Sequence, residues 1–149
     1  IFRSIKVGMI SMIPNLAPSI ITVGIIGWIG TPLDYMKLLI APIAIGIAVD
    51  DTIHLMTRLS HEFEKRKNYN EALIAAMGDV GRALLITSVV LICGFSVFCV
   101  SQMDSQFWFG VLLSLTIFIA LVADFFVMPA LVLLFKPFGP EGEVTTSPT

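Results

Sequence analysis

The amino-acid sequence predicts an all-α protein: a polytopic transmembrane bundle of about four spanning helices, with an amphipathic segment outside the membrane. Two observations support this fold class. Of the 149 residues, 56% are hydrophobic and 13% are charged, whereas a soluble domain carries about 25% charged residues. The apolar residues are also grouped into runs of the length that a bilayer requires, roughly 20 residues. A soluble chain of this composition would expose apolar patches large enough to aggregate.

Four apolar runs predict the four spans. They cover about residues 9–29, 36–56, 83–100 and 107–135. The fourth run is long enough to tilt or to extend beyond the membrane. With the segments that join them, these runs define a predicted membrane domain over residues 1–136.

Small residues predict where helices approach one another. Gly24, Gly27, Gly46 and Gly94 lie within the spans, and glycine lets helix backbones come close together in a membrane. The segment 14–18 has a proline at each end. It predicts a helix entrance, because proline is tolerated in a first turn.

Basic residues predict the orientation of the bundle. Lys37 lies beside one of the two short loops, whereas eight of the nine basic residues lie at the other end: Arg3, Lys6, Arg58, Lys65, Arg66, Lys67, Arg82 and Lys136. Cytoplasmic loops carry an excess of Lys and Arg. We therefore predict a multi-pass protein of the cell (inner) membrane, with the segment 58–82 and the C-terminus in the cytoplasm.

The segment 58–82 is predicted to form one or two amphipathic helices on the inner membrane surface. Its apolar residues recur at helical spacing: Leu59, Phe63, Ala72, Leu73, Ala76, Met77 and Val80. Asn68 followed by Glu71 is typical of a helix start. Gly78 and Gly81 are predicted to bend the chain into the third span. The alternative is a solvated charged loop.

The two ends of the chain differ from the predicted membrane domain. Residues 137–149 are rich in Pro, Gly, Thr and acidic residues and lack an apolar period, which predicts a disordered cytoplasmic tail. The chain begins at Ile1 rather than Met, and we expect it to be a piece of a longer transporter-like protein.

Two consecutive acids, Asp50 and Asp51, interrupt the second span. An ionised carboxylate at the centre of a membrane helix costs about 2.5 to 3.5 kcal/mol on insertion scales. Adjacent residues point about 100° apart on a helix, so this sector is predicted to face the bundle interior or a water-filled cavity. Such a pair could exchange a proton near neutral pH as one coupled unit. The alternative is a structural pair capped by hydroxyls and backbone carbonyls.

A line of residues extends from this pair along the same helix. Gly46, Asp50, His54 and Arg58 recur every four residues and therefore share one face. Asp50 and His54, one turn apart, can reach each other. His54 is accordingly predicted to join the proton relay; the alternative is an interfacial histidine with a local hydrogen bond.

Three further polar residues within the spans are predicted accessory groups. Asp124 follows Thr116 and Ala120 at steps of four, so it faces the interior or lies near the inner boundary of a long helix. Thr87 and Ser88 are relay or packing hydroxyls, and packing is the commoner use.

Several classes of function lack support in the sequence. There is no nucleophile–base pairing and no phosphate-binding loop, so no catalytic residue, enzyme activity or cofactor is predicted. Cys93 and Cys99 lack the partner spacing that a zinc site needs, and no metal site is predicted. The absence of a basic stripe argues against nucleic acid as a partner.

Several stretches resemble the RND superfamily of transporters, and within it the MMPL-like exporters, which are related to the sterol-sensing-domain proteins. The resemblance covers nearly all of residues 1–136. It is carried by Phe2-Arg3-Ser4, Ile13 to Pro18, Gly46 to Leu55, Gly81-Arg82-Ala83 with Thr87-Ser88, and Ala120 to Asp124 with Pro129 to Leu131. The stretch Val49-Asp50-Asp51 is its most specific part.

The resemblance implies part of the C-terminal six-helix repeat of a proton-driven exporter of lipids or other hydrophobic compounds. The family's proton-relay acids fall on Asp50 and Asp51. Many MMPL-like members have an aromatic residue where this chain has Asp51, and the drug-pump branch pairs its acids with an intramembrane Lys that this chain lacks. The counter-charge is therefore predicted to be His54 or a group from elsewhere.

The resemblance also implies partners: membrane lipids, a hydrophobic substrate, and the remaining half of the transporter with its N-terminal repeat and outer domains. It leaves the oligomeric state open. Two other functions fit the same helices. One is a sterol-sensing-type regulatory module that binds lipid without pumping, and the other is a protein-translocation auxiliary of the same superfamily.

Overall fold

The computed structural model describes residues 2–30 and 32–138, which are almost entirely helical and contain no strand. Six α-helices follow one another: α1 Phe2–Ile29, α2 Tyr35–Arg66, α3 Tyr69–Ala76, α4 Arg82–Ser96, α5 Asp104–Val122 and α6 Met128–Phe135. A π-helical turn over Met77–Gly81 joins α3 to α4, and a second over Ala123–Val127 joins α5 to α6. A 3₁₀ turn, Val97–Val100, extends α4.

Four helical stretches within these residues are long and apolar enough to cross a membrane, which confirms the predicted all-α transmembrane bundle. They cover Ser11–Ile29, Tyr35–Arg66, Tyr69–Val100 and Asp104–Phe135. The second and third are each 32 residues long, whereas about 20 residues suffice to cross the hydrocarbon core. The ends where α2 and α3 meet therefore extend beyond the predicted spans.

The segment 58–82 differs from its prediction. Residues 58–66 are not a separate surface helix but the last turns of α2, because their buried residues, such as Leu59 and Phe63, continue the buried face of α2 in phase. Lys67 ends α2 in a left-handed conformation with φ 54°, and its N–H donates to the Phe63 carbonyl. The Asn68 side chain then caps the first turn of α3, which confirms the predicted helix start.

The chain is not interrupted at Gly78 and Gly81, where a bend into the third span was predicted. Both glycines lie in the π-helical turn Met77–Gly81, and the chain continues from it directly into α4. A π turn inserts one extra residue without ending the helix. The third membrane stretch is consequently continuous from Tyr69 to Val100.

The prolines of the first span do not mark a helix entrance as predicted. Pro14 and Pro18 lie inside α1, which begins twelve residues before Pro14. Membrane helices tolerate internal proline because neighbouring groups satisfy the freed backbone atoms. One turn after Pro18, the Thr22 hydroxyl donates to the Pro18 carbonyl at 2.9 Å.

The buried core has two apolar clusters separated by a polar layer. The basic end, where Arg58, Arg66 and Arg82 lie, has a cluster around Leu59, Phe63 and Tyr69. The opposite end has a cluster around Ile40, Leu113 and Ile117. Between them lie the buried polar residues Asn15, Ser19, Thr22, Thr52, Thr116 and Asp124. The layer between the two apolar clusters, in the middle of this bundle, is therefore polar.

The predicted close contacts at Gly24, Gly27, Gly46 and Gly94 are not formed within the described residues. A Cβ at any of the four would meet nothing within 4 Å, because all four lie on helix faces turned away from the bundle. The close approach is at Gly110 on α5, where a Cβ would lie 2.8 Å from the Phe95 carbonyl oxygen.

The predicted disordered tail begins two residues too early. Phe138 is 5% exposed and belongs to the apolar cluster at the basic end, and its N–H donates to the Tyr69 hydroxyl at 2.8 Å. The rest of that predicted tail, 139–149, lies outside the described residues.

Candidate intramembrane carboxylate site

The acidic pair lies in the middle of α2, well away from either helix end. The buried face of α2 near it consists of Ala44, Ala48, Thr52 and Leu55. Because successive residues are about 100° apart, Asp50 points away from this face, Asp51 lies at its edge and Thr52 points inward. The Asp50 side chain is 75% exposed, Asp51 is half-buried, and Thr52 is 1% exposed.

An open cleft of about 590 Å³ lies in front of the pair. One side of the lining comes from α2, and the other comes from the π turn Met77–Gly81 and the first turns of α4. The lining residues are Asp50, Asp51, His54, Arg58, Asp79, Val80, Ala83, Leu84 and Thr87. Of the two predicted surroundings, the interior and a cavity, the pair thus faces a cavity. Gly46 lies one turn further along the same exposed face.

His54 is the basic group nearest to the pair in this cleft. Its Nε2 lies 3.7 Å from Asp50 Oδ1, which confirms that the two residues reach each other. Arg58 also lines the cleft, but its guanidinium forms ion pairs with Glu62 and Asp79. Among the described residues, His54 is therefore the basic side chain within ion-pair distance of Asp50.

The predicted accessory residues fall in three different places. Thr87 lines the cleft with the acidic pair, and its hydroxyl donates to the Leu84 carbonyl at 3.0 Å. Ser88 is buried on another face of α4 and is not among the lining residues. Asp124 is 3% exposed and faces the interior of the bundle, which decides between the two predicted positions.

The interior polar group includes residues that the sequence analysis did not select. The Thr52 hydroxyl donates to Asn15 Oδ1 at 2.6 Å and lies 3.3 Å from Asp124 Oδ1. The hydroxyls of Thr22 and Thr116 are 2.7 Å apart. The signal was present in the first span, because Asn15, Ser19 and Thr22 follow the spacing i, i+4, i+7 of one helix face. The neighbouring residues Pro14 and Pro18 predicted a helix entrance at this place instead.

Groups of three or more His, Cys, Asp or Glu residues that could hold a metal ion do not occur in residues 2–30 and 32–138. The cleft instead brings the carboxyl groups of Asp50 and Asp51 beside the imidazole of His54, and all three groups are able to bind and release a proton.

A bundle of four membrane-crossing helices with a carboxyl pair at the centre of one of them defines an integral membrane protein. The chain belongs to the MMPL family, whose model matches residues 6–146. This confirms the resemblance that the motifs around Asp50 indicated.

One curated relative is longer than this chain. It is a protein of Methanocaldococcus jannaschii, MJ1562, which is named as a membrane protein. The two are 26% identical over 133 residues, which is 89% of this chain and 34% of the relative. The chain therefore spans about a third of the length of the curated relative that it matches. No solved structure matches the chain at a significant level.

Proposed function

We propose that this chain is the proton-coupled membrane module of an MMPL-type exporter, with Asp50 and Asp51 as the proton-relay acids and His54 as their counter-charge. One observation carries the proposal. The two acids and the histidine lie together in one cleft at the centre of α2, with His54 Nε2 3.7 Å from Asp50 Oδ1. Intramembrane acids that face a cavity are typical of proton pathways in transporters.

The position of the pair supports a role beyond packing. Asp50 is three-quarters exposed and its side chain stabilises no other helix of the described bundle. Carboxylates at this depth cost free energy of insertion, and a purely structural pair would be expected to accept hydrogen bonds from the helices around it. The cleft leaves the carboxyl groups open to proton donors and to helices supplied by the rest of the protein.

The energy source follows from the same location. A charge that moves through a membrane potential of 100 mV releases about 2.3 kcal/mol. Protonation of one carboxyl group changes the charge of the pair by one unit, and because adjacent carboxylates repel, the two acids exchange protons as a coupled unit. A protonated His54 and an ionised Asp50 attract each other across the 3.7 Å between their side chains.

The substrate class in this proposal is a lipid or another hydrophobic compound, as the family resemblance implies. The protein lies in the cell (inner) membrane with the basic end in the cytoplasm, since Lys and Arg are retained on that side. The remaining half of the exporter supplies the second repeat and the outer domains, and the oligomeric state is left open.

The experiment is export by the full-length protein. Asp50→Asn, Asp51→Asn and the double variant are compared with the wild type in cells, after equal abundance in the membrane has been established by immunoblot. Loss of proton exchange predicts at least a tenfold lower export rate for the double variant. His54→Gln is expected to lower the rate and to shift its pH dependence, because the counter-charge is removed.

Glu64→Gln is the matched control. It removes a carboxyl group from the exposed face of the same helix, outside the cleft, and should leave export unchanged. Undiminished export by the double variant would contradict the relay. If that variant also kept lipid binding that is independent of the proton gradient, a sterol-sensing-type regulatory module would be the better description.

A further inference from the structure

The interior of the bundle contains a chain of hydrogen-bonded side chains that do not line the cleft. It consists of Asn15 on α1, Thr52 on α2 and Asp124 in the π turn Ala123–Val127. All three side chains are less than 5% exposed. The Thr52 hydroxyl occupies the middle, 2.6 Å from Asn15 Oδ1 and 3.3 Å from Asp124 Oδ1. Three membrane helices therefore meet at one hydroxyl group.

The number of protons available to these hydrogen bonds depends on whether Asp124 is protonated. A threonine hydroxyl has one proton to donate, and an ionised carboxylate can only accept. The short contact commits the Thr52 proton to Asn15 Oδ1. Asp124 then completes the chain only by donating its own proton to Thr52 Oγ, which requires the neutral acid.

The ionised acid requires the opposite arrangement. Asp124 must then accept the Thr52 proton, and Thr52 Oγ must accept from the Asn15 amide nitrogen. The Asn15 side-chain amide has to turn over for this to happen. The direction of the entire chain is consequently set by the presence of one proton on Asp124.

A metal cation in place of this proton does not fit the geometry. Octahedral ligand oxygens around Mg²⁺, at about 2.1 Å from the ion, lie about 3 Å from each other. The Thr52 and Asn15 oxygens are 2.6 Å apart, which is the spacing of a direct hydrogen bond.

Few charged groups surround Asp124. On α2, Asp51 is the titratable neighbour whose charge acts on it. Helix α6 contains no titratable residue, and on α5 the one acid, Asp104, lies at the distant end. The residues that α1 buries beside the chain, Asn15, Ser19 and Thr22, are neutral.

The basic groups nearby are engaged or turned outward. In the π turn and α4 that pack beside α2, Asp79 is paired with Arg58, and Arg82 is exposed. None of the ion pairs among the described residues includes Asp124. A buried carboxylate without a basic partner is strongly disfavoured, which supports the neutral arrangement.

We propose that Asp124 is a second proton-binding site, separate from the cleft, and that its occupancy reverses the Asn15–Thr52–Asp124 hydrogen-bond chain between α1, α2 and α5–α6. The proton is the ligand, and Thr52 is the positioning residue that transmits its presence to α1. This site goes beyond the relay at Asp50 and Asp51 and does not depend on it.

Infrared difference spectroscopy tests the site without any transport assay. The full-length protein in lipid vesicles is titrated with alkali, and the carbonyl band of protonated carboxyl groups is followed. Asp50→Asn/Asp51→Asn serves as the background, so that the cleft acids do not contribute. We expect a band that Asp124→Asn abolishes and Asp124→Glu retains at a shifted frequency.

Variants of Thr52 separate a proton site from a merely structural carboxyl group. Thr52→Val removes the acceptor of the Asp124 proton, so the band should move to higher frequency, whereas Thr52→Ser should restore the original position. Thr22→Val is the matched control, because it removes a buried hydroxyl of the Thr22–Thr116 pair from the same interface. It should leave the band unchanged.

Three results would overturn the proposal. One is a protonated-carboxyl band that is identical in the Asp124→Asn and Asp124→Glu variants. Another is a band that Thr52→Val and Thr22→Val shift equally. The third is a band that disappears at constant pH when Na⁺ or K⁺ is added, which would assign the site to a cation.

Discussion

At the scale of single residues, the centre of α2 sorts three neighbours into three environments. Asp50 faces the open cleft, Asp51 lies at the edge of the buried face of α2, and Thr52 contacts Asn15 in the interior. The helical rotation of about 100° per residue is sufficient to produce this arrangement. A change of charge at the cleft therefore lies one residue away from the interior hydrogen-bond chain.

The close contact at Gly110 gives a prediction at the same scale. A Cβ there would lie 2.7 Å from Phe98 Cβ and 2.8 Å from the Phe95 carbonyl oxygen. Gly110→Ala is therefore expected to destabilise the protein by about 1 to 3 kcal/mol, the usual effect of overpacking. The measurement is the thermal unfolding of the purified full-length protein in detergent.

Gly94→Ala on the neighbouring α4 is the control for this substitution. A Cβ at Gly94 meets nothing within 4 Å, and alanine favours a helix over glycine by up to about 1 kcal/mol. Its unfolding temperature should stay the same or rise. Equal losses of stability in both variants would show that the close approach of Phe95 to Gly110 is not the cause of the loss in Gly110→Ala.

Hydropathy and spacing were sufficient to find some of these residues and not others. Asp50, Asp51 and His54 are exceptions within an apolar run, and their spacing predicted the contact that the structure has. Asn15 and Thr52 are uncharged, so they disturb hydropathy little, and their contact joins residues 37 positions apart. No periodicity within a single helix carries information about such a partner.

At the scale of elements, the opposite end of the bundle is joined by a second polar contact. Asp34 caps α2 by accepting from the Lys37 N–H at 3.0 Å, and it accepts from the Ser105 hydroxyl on α5 at 2.7 Å. Lys37 Nζ donates to the Pro32 carbonyl at 2.7 Å. The hydrogen bond from Ser105, followed by the one from the Lys37 N–H, lowers the pKa of Asp34.

This contact predicts a dependence of stability on pH. Since the pKa of Asp34 is lower in the folded protein, its contribution is present above the unfolded pKa, about 3.9, and is lost as the pH falls through the folded value. Ser105→Ala should bring the pKa of Asp34 back toward its ordinary value, so the part of the acid-induced loss of stability that comes from Asp34 should become smaller. Unfolding temperatures measured from about pH 7 to about pH 3 test this.

The stability of Asp34→Asn should depend less on pH than that of the wild type, because the titrating carboxyl group is absent. Asp104→Asn, which removes an exposed acid from the start of α5, is the control and should retain the wild-type dependence. Identical acid profiles for wild type and Asp34→Asn would contradict the assignment.

Element boundaries were predictable where a strong local signal exists. Asn68 caps α3 as expected, since the capping hydrogen bond is made by neighbouring residues. The continuation of α2 through Arg58 to Arg66 was missed because charged residues hid a periodicity that stays in phase across the membrane boundary. The π turns at Met77–Gly81 and Ala123–Val127 depend on packing between helices and carry no sequence signature of comparable strength.

At the scale of the whole molecule, the distribution of basic residues predicts how the bundle lies in the membrane. The basic end should face the cytoplasm, because Lys and Arg are retained on that side. In a full-length protein with Cys93 and Cys99 replaced by alanine, Glu64→Cys should react with a membrane-impermeant maleimide only after the cells are opened. Gln102→Cys, in the loop between α4 and α5, should react in intact cells.

Labelling of both variants in opened cells is the control for reactivity of the thiol itself. The reversed pattern, with position 64 labelled in intact cells and position 102 protected, would contradict the orientation.

The length of α2 has a mechanical consequence. Its 32 residues, at about 1.5 Å each, form a rod of about 48 Å. Asp50 lies at the midpoint of this rod, and Glu62, which binds Arg58 and Arg66, lies near its end. A stiff rod that turns at its middle turns equally at its tip, so a rotation of α2 at the cleft moves the ion pairs of the basic end as well. A rotation of α2 about the polar layer would therefore be transmitted along the helix to the ion pairs of Glu62 at the basic end.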